Sequence, residues 1–238
     1  MENIRIYCEN TSSYVEVAFG TALNEIAQKG SIAALVDNKL KSLDYRIISP
    51  HNVRFVDHSH PDGRRTYTRS LSFVLQNVVR EMFPDKILSI DYALPSGLYC
   101  EIRETTARHD GRPDVYSITD EEIEAMKVRM KEIVDADLPF TKKMLSSDEA
   151  FNLFTANRQK EKANLVKVLG RFHYSVYFLD GKADTFYGPL APSTGFLKTF
   201  DLVGYNDGFC LQYPMDGCPD QVLPMKRQSK LANALKEH

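Results

Sequence analysis

Leu71, Val74, Leu75, Val78, Val79 and Met82 fall at i, i+3, i+4, i+7, i+8 and i+11, the spacing of a single apolar stripe on an α-helix that ends near Pro84. A helix with one such stripe has to lay it on another element, and the segments to either side read mostly as strands. Two further helix starts are written as capping boxes. Thr119 with Glu122 opens one that runs to about Val134, with Ile118 and Ile123 as its staple, and Ser146 with Glu149 opens another ahead of Phe151 and Phe154. Lys160 to Leu169 reads as one more helix, stopped by Gly170.

The strand signals fall into two groups. Before the strong helix, Ile4, Ile6 and Cys8 alternate with Arg5 and Tyr7, and Tyr14, Val15 and Val17 follow the turn cluster Asn10-Thr11-Ser12-Ser13, which makes a hairpin. A short helix capped by Thr21 and stopped at Gly30 comes next, then strands at Ala33–Val36, Leu40–Tyr45 and Val53–Val56. This ββαβ-type order in under sixty residues suggests a β-grasp module over residues 1–57. His58-Ser59-His60-Pro61-Asp62-Gly63 is turn chemistry, so residues 58–65 are expected to be a linker.

After the helix, Ile87 to Ile102 holds two strands around Pro95-Ser96-Gly97. Beyond Gly170 come strands at Tyr174–Leu179, Thr185–Tyr187, Thr199–Val203 and Phe209–Tyr213, separated by Asp180-Gly181, a Pro-Ser-Thr-Gly segment and Asn206-Asp207-Gly208. An antiparallel sheet packed by helices follows, so the fold class is α+β.

The charge balance removes some functions. Thirty basic and thirty-two acidic residues in 238 leave a formal charge of -2, without the broad positive field of a dedicated nucleic-acid binder. Cys8, Cys100, Cys210 and Cys218 are too scattered for a disulfide framework and form no C-x-x-C pair. The charged N-terminus and the lack of any run of eighteen apolar residues predict a cytoplasmic protein with no membrane partner. No phosphate loop, G-x-G-x-x-G, H-E-x-x-H or G-x-S-x-G occurs. His58 and His60 are the one close histidine pair; without a third ligand they read as loop, and no metal site is expected.

Two segments carry the remaining chemistry. Asp62-Gly-Arg-Arg-Thr-Tyr-Thr-Arg69 sets three arginines just before the helix, either as a solvated basic turn or as a phosphate-binding start. Asp180 to Lys198 is dense in Gly, Pro and aromatic residues. It either presents Asp184 and Lys198 to a ligand or simply joins two strands.

These segments together resemble a known protein family. Residues 4 to 57, with Ala34-Leu-Val-Asp-Asn-Lys-Leu-Lys-Ser-Leu-Asp-Tyr45, resemble the ubiquitin-like TGS domain of threonyl-tRNA synthetases. Residues 66 to about 214 resemble the second additional domain of the same enzymes, the module that hydrolyses mischarged seryl-tRNA. The module is taken to extend to residue 222, with 223–238 as a tail leading to a missing domain. Where the synthetase helix opens with H-x-x-x-H, this chain has Arg69-Ser-Leu-Ser-Phe73. Where the synthetase has D-x-C-x-G-P-H, it has Asp184-Thr-Phe186-Tyr-Gly188-Pro189-Leu190. Arginine is no general base near neutral pH, and phenylalanine and leucine move no protons, so the resemblance implies the scaffold without its hydrolysis.

The same altered motifs, F-Y-G-P-L-x-P-S-T-G and D-G-R-R-T-Y-x-R-S-L, resemble the N-terminal half of bacterial uridine kinase-like nucleoside kinases. That likeness implies a non-catalytic binding or regulatory region, with ATP and magnesium used by the chain's own C-terminal kinase domain and no cofactor in residues 1–238. Arg69, Phe73, Asp184, Phe186 and Lys198 are expected to surround one cleft that holds a nucleotide or tRNA. The alternatives are an aminoacyl-tRNA deacylase with a rearranged site, relying on Asp184 and Lys198, and an oligomerisation module that takes no ligand.

Overall fold

The structure is a computed structural model that describes residues 3–107, 113–215 and 220–225. Strands β1 (Asn3–Cys8) and β2 (Ser13–Ala18) form the expected hairpin; α1 (Leu23–Ile26), β3 (Ala33–Val36), β4 (Lys39–Lys41) and β5 (Asn52–Val56) follow. Their sheet runs β2-β1-β5-β3-β4, with β1 and β5 parallel at its centre and the other pairs antiparallel. Alternation turns Ile4, Ile6 and Cys8 of β1 inward onto Leu23, Ile47 and Val53. The start of α1 differs by one residue from the reading: Ala22 is the N-cap, and the Glu25 carboxylate accepts from its backbone N–H at 2.9 Å. Gly30 lies in a later turn at φ 88° instead of closing the helix.

The long helix α2 spans Pro61–Met82 and so begins ten residues before the apolar stripe. Residues 61–65, expected as linker, are therefore helical. Proline suits the first helical position, where its missing N–H is not needed, and His60 caps the end by accepting from Asp62 N–H at 3.2 Å. The residues that read as turn formers are also helix starters. Gly63 completes the joint, since a Cβ there would run into the Asp57 carbonyl.

Next come β6 (Lys86–Leu94), β7 (Gly97–Ala107), β8 (Pro113–Val115), α3 (Asp120–Asp135), β9 (Thr141–Ser146), α4 (Ser147–Ala156), α5 (Lys160–Leu169), β10 (His173–Leu179), β11 (Lys182–Asp184), β12 (Asp201–Tyr205) and β13 (Gly208–Gln212). The capping boxes at Thr119 and Ser146 are both made, and Gly170 closes α5 in the left-handed region at φ 55°. The single expected sheet is two: β12-β13-β7-β6 with β8 beside β7, and the three-stranded β11-β10-β9. One strand is displaced. Asp180 and Gly181 both take positive φ, so the hairpin turns in two residues and pairing resumes at Lys182, which leaves 185–187 as loop instead of strand.

The first sheet does not stand apart. Ile32, Ala33 and Val56 share one hydrophobic core with Tyr67, Leu71 and Val74 of α2. Among the cysteines, Cys8, Cys100 and Cys210 are free and buried, while Cys218 and residues 226–238 of the expected tail lie outside the described residues.

Candidate ligand-binding cleft

Helix α2 is buried around most of its circumference. Leu71, Val74 and Val78 face the main core, while Thr66, Ser70, Phe73 and Asn77 form a second buried face. The remaining arc is polar, and along it Arg65, Thr68, Arg69, Ser72 and Gln76 line a cleft of about 620 Å³. Pro61 and Arg64 at the start of α2, Ile90 of β6, Leu98 of β7, Phe186 and Tyr213 complete its walls.

The loop after β11 is fastened to α2 at consecutive helical residues. Arg69 Nε and Nη2 donate to the Pro189 carbonyl at 3.2 and 3.0 Å, and Ser70 Oγ accepts from Ala191 N–H at 2.8 Å. Tyr177 from β10 donates to the Gly188 carbonyl at 3.2 Å. Gly188 sits at φ 112° and so close to Arg69 that a Cβ would lie 3.0 Å from the guanidinium carbon. Burial lowers the pKa of Arg69 from its ordinary value, while burial pushes the Tyr177 phenol up to about 12. Neither group offers a base at neutral pH.

The five residues expected around one ligand separate into three places. Arg69 and Phe186 line the cleft. Phe73, wholly buried, lies beneath them with its ring 5.3 Å from Phe186 and 6.0 Å from Phe140. Asp184 is also wholly buried but does not line the cleft: Arg80 donates to it at 2.9 Å, Lys162 pairs with its other oxygen, and Thr185 N–H caps it at 2.6 Å. Burial lowers the pKa of Lys162, with Asp184 opposing the shift. Lys198 is exposed beyond the short 3-10 turn Thr194–Phe196 and does not line the cleft. The expected single cluster is thus a trio, with Leu190 buried nearby at 2% exposure.

The sequence reading passed over Gln76, Ser72 and Tyr213. A helical wheel started at Pro61 would have found the first two, because residues 65, 69, 72 and 76 share a face. The two histidines noted together have separate roles: His60 caps α2, and the His58 ring packs 5.9 Å from Tyr67. Among the described residues no group of three or more His, Cys, Asp or Glu side chains converges.

No family model matches the chain. It is 28% identical over 195 residues to the threonine-tRNA ligase of Pelobacter propionicus, covering 79% of this chain and 29% of the ligase. The corresponding ligase of Carboxydothermus hydrogenoformans is 28% identical over 201 residues, covering 84% and 30%. That of Fusobacterium nucleatum is 29% identical over 189 residues, covering 79% and 28%. The chain spans about three-tenths of the length of the curated relatives it matches. No described helix is long and apolar enough to cross a membrane. Over roughly four-fifths of its length the chain is threonyl-tRNA synthetase-like, within an α+β fold.

Proposed function

We propose that the cleft beside α2 is a ligand-binding site built on the scaffold of a tRNA-editing pocket, and that the chain is a non-catalytic cytoplasmic binding module for an anionic ligand with a flat ring. A nucleotide and the terminal adenosine of a tRNA both have that chemistry. One observation carries the reading. Arg69, Phe73, Phe186 and Leu190 stand where the synthetase motifs place their histidines and cysteine, they gather around one loop, and they bring a guanidinium and hydrocarbon where hydrolysis needs a base. The direct test is incubation with mischarged seryl-tRNA. The expected result is loss of the serine at the spontaneous rate; faster loss in the presence of the purified chain overturns the proposal.

The deacylase reading is favoured by the names of the relatives, all threonine-tRNA ligases. It would have to draw its base from Asp184, which two cations and a backbone N–H already occupy, or from Lys198 outside the cleft. The binding reading needs neither. The strand order β2-β1-β5-β3-β4 supports taking residues 1–57 as a β-grasp domain of the TGS kind. The attachment to a uridine kinase-like domain, with its ATP and magnesium, rests on the F-Y-G-P-L and D-G-R-R-T-Y motifs. A phosphate-loop motif in the hundred codons after residue 238 is the result that this part of the proposal expects; its absence there would remove it.

A further inference from the structure

We propose that Ser49, His51 and Asp37 form a second site, a nucleophilic serine that takes an acyl group from small activated acyl donors and passes it to water. The three belong to the first module, and none of them lines the cleft beside α2. Asp37 Oδ2 accepts from His51 Nδ1 at 2.6 Å, and Ser49 Oγ stands 3.1 Å from His51 Nε2. With Nδ1 donating to the carboxylate, Nε2 keeps its lone pair and accepts from the serine hydroxyl. This chain of contacts is the one that activates a serine: an acceptor on the hydroxyl, and a carboxylate that fixes the acceptor's tautomer and orientation.

Backbone contacts hold the three in place. Asp37 turns the β3–β4 hairpin at φ 47°, and its other oxygen accepts from Asn52 N–H at 2.9 Å. The His51 carbonyl accepts from Tyr7 N–H of β1 at 2.9 Å, and Pro50 fixes φ between the serine and the histidine. The His51 side chain is 16% exposed, so its ring is packed, while Ser49 is exposed and open to an incoming acyl group. Tyr45 Oη also faces Nε2, but at 3.4 Å it lies farther off than Ser49. Ser49 Oγ attacks the acyl carbon as its proton passes to Nε2; the leaving group departs with the bonding pair and collects that proton. Water then attacks the ester of Ser49, its proton passes through Nε2 to the departing Ser49 oxygen, and the free acid is released. So open a serine suits small compounds whose leaving group is already acidic, an aryl ester or a thioester. The ribose ester of a charged tRNA would release a poorly acidic alcohol and falls outside this class.

Two probes test the site on the whole chain. p-Nitrophenyl acetate reads turnover, and an alkyl fluorophosphonate, which stays on the oxygen as fluoride leaves, reads the position by mass spectrometry. Release of p-nitrophenolate is expected to exceed that by Ser49→Ala, a change at an exposed position, by roughly a hundredfold, the low end of what a positioned base contributes. The fluorophosphonate is expected on Ser49 ahead of Ser13, which is also exposed but whose hydroxyl pairs with Thr11, and in His51→Gln that preference disappears. Asp37 acts through the ring, so its signature is spectroscopic. Nitrogen NMR of the native chain should show His51 in the Nδ1–H form, and Asp37→Asn should move it toward the Nε2–H form as phosphonylation slows. An unchanged tautomer in Asp37→Asn overturns the role given to Asp37. Equal ester turnover by the native chain and Ser49→Ala, including turnover lost only in His51→Gln, overturns the whole proposal, as does labelling of Ser49 no faster than of Ser13.

Discussion

Asp184 shows how far a side chain's surroundings govern what it does. As a carboxylate beside a Gly-Pro loop it looks like a ligand-facing or proton-accepting group. In the fold it joins three elements, since Arg80 comes from α2, Lys162 from α5, and Asp184 itself ends β11. Removing one partner of a buried ion pair leaves the others uncompensated. Asp184→Ala is expected to cost about 2 to 3 kcal/mol in chemical denaturation, below the value for a fully buried pair because Arg80 and Lys162 are each about a third exposed. A loss under about 0.5 kcal/mol would mean that the carboxylate is no structural joint.

Among the elements, the β3–β4 hairpin has a polar clasp at its turn. Asp37 and Asn38 both adopt positive φ, as a two-residue turn between twisted strands requires. The Asn52 N–H donates to Asp37 at 2.9 Å and His51 pairs with it at 2.6 Å; together they hold the carboxyl below its ordinary 3.8. A depressed carboxyl pKa stabilises the fold at pH above the unfolded value, and that contribution is lost as pH falls through the folded value. Asp37→Asn, which tolerates the same positive φ and removes only the charge, is expected to cost about half a kcal/mol at neutral pH, since solvent screens so exposed a pair. The difference from the native chain should close below about pH 4. Melting curves over pH 7 to pH 3 check this, and a difference that stays constant across the range contradicts it.

At the scale of the whole molecule, the two modules share hydrocarbon. Val56, at the end of β5, is 3% exposed and packs in the same cluster as Leu71 and Val74, and Ile32 and Ala33 join it from the start of β3. Only Asp57 to His60 separate β5 from α2. A joint this short and apolar favours concerted unfolding over independent domain motion. Thermal unfolding should show one transition, and Val56→Ser should move the whole of it by about 2 kcal/mol without splitting it. Two resolved transitions in the native chain would show that the first module folds on its own.

Helix α2's apolar stripe, both capping boxes, the Gly170 stop and most strands were legible in the residues because each rests on neighbours within a few positions. The start of α2 was not, because Pro61 to Arg65 carry turn and helix-start signals alike, and only packing against Asp57 separates them. Strand β9 also escaped, since Thr141 to Ser146 lack alternation and the strand is held by pairing with β10. In the site, the loss of histidines was plain from the sequence, but the division of the five candidates was not. Arg69 reaches Pro189 across 120 residues and Arg80 reaches Asp184 across 104. Local spacing determined which faces the elements present; which polar groups meet on those faces was decided only by tertiary packing, where a buried charge must find its partner wherever the chain brings one.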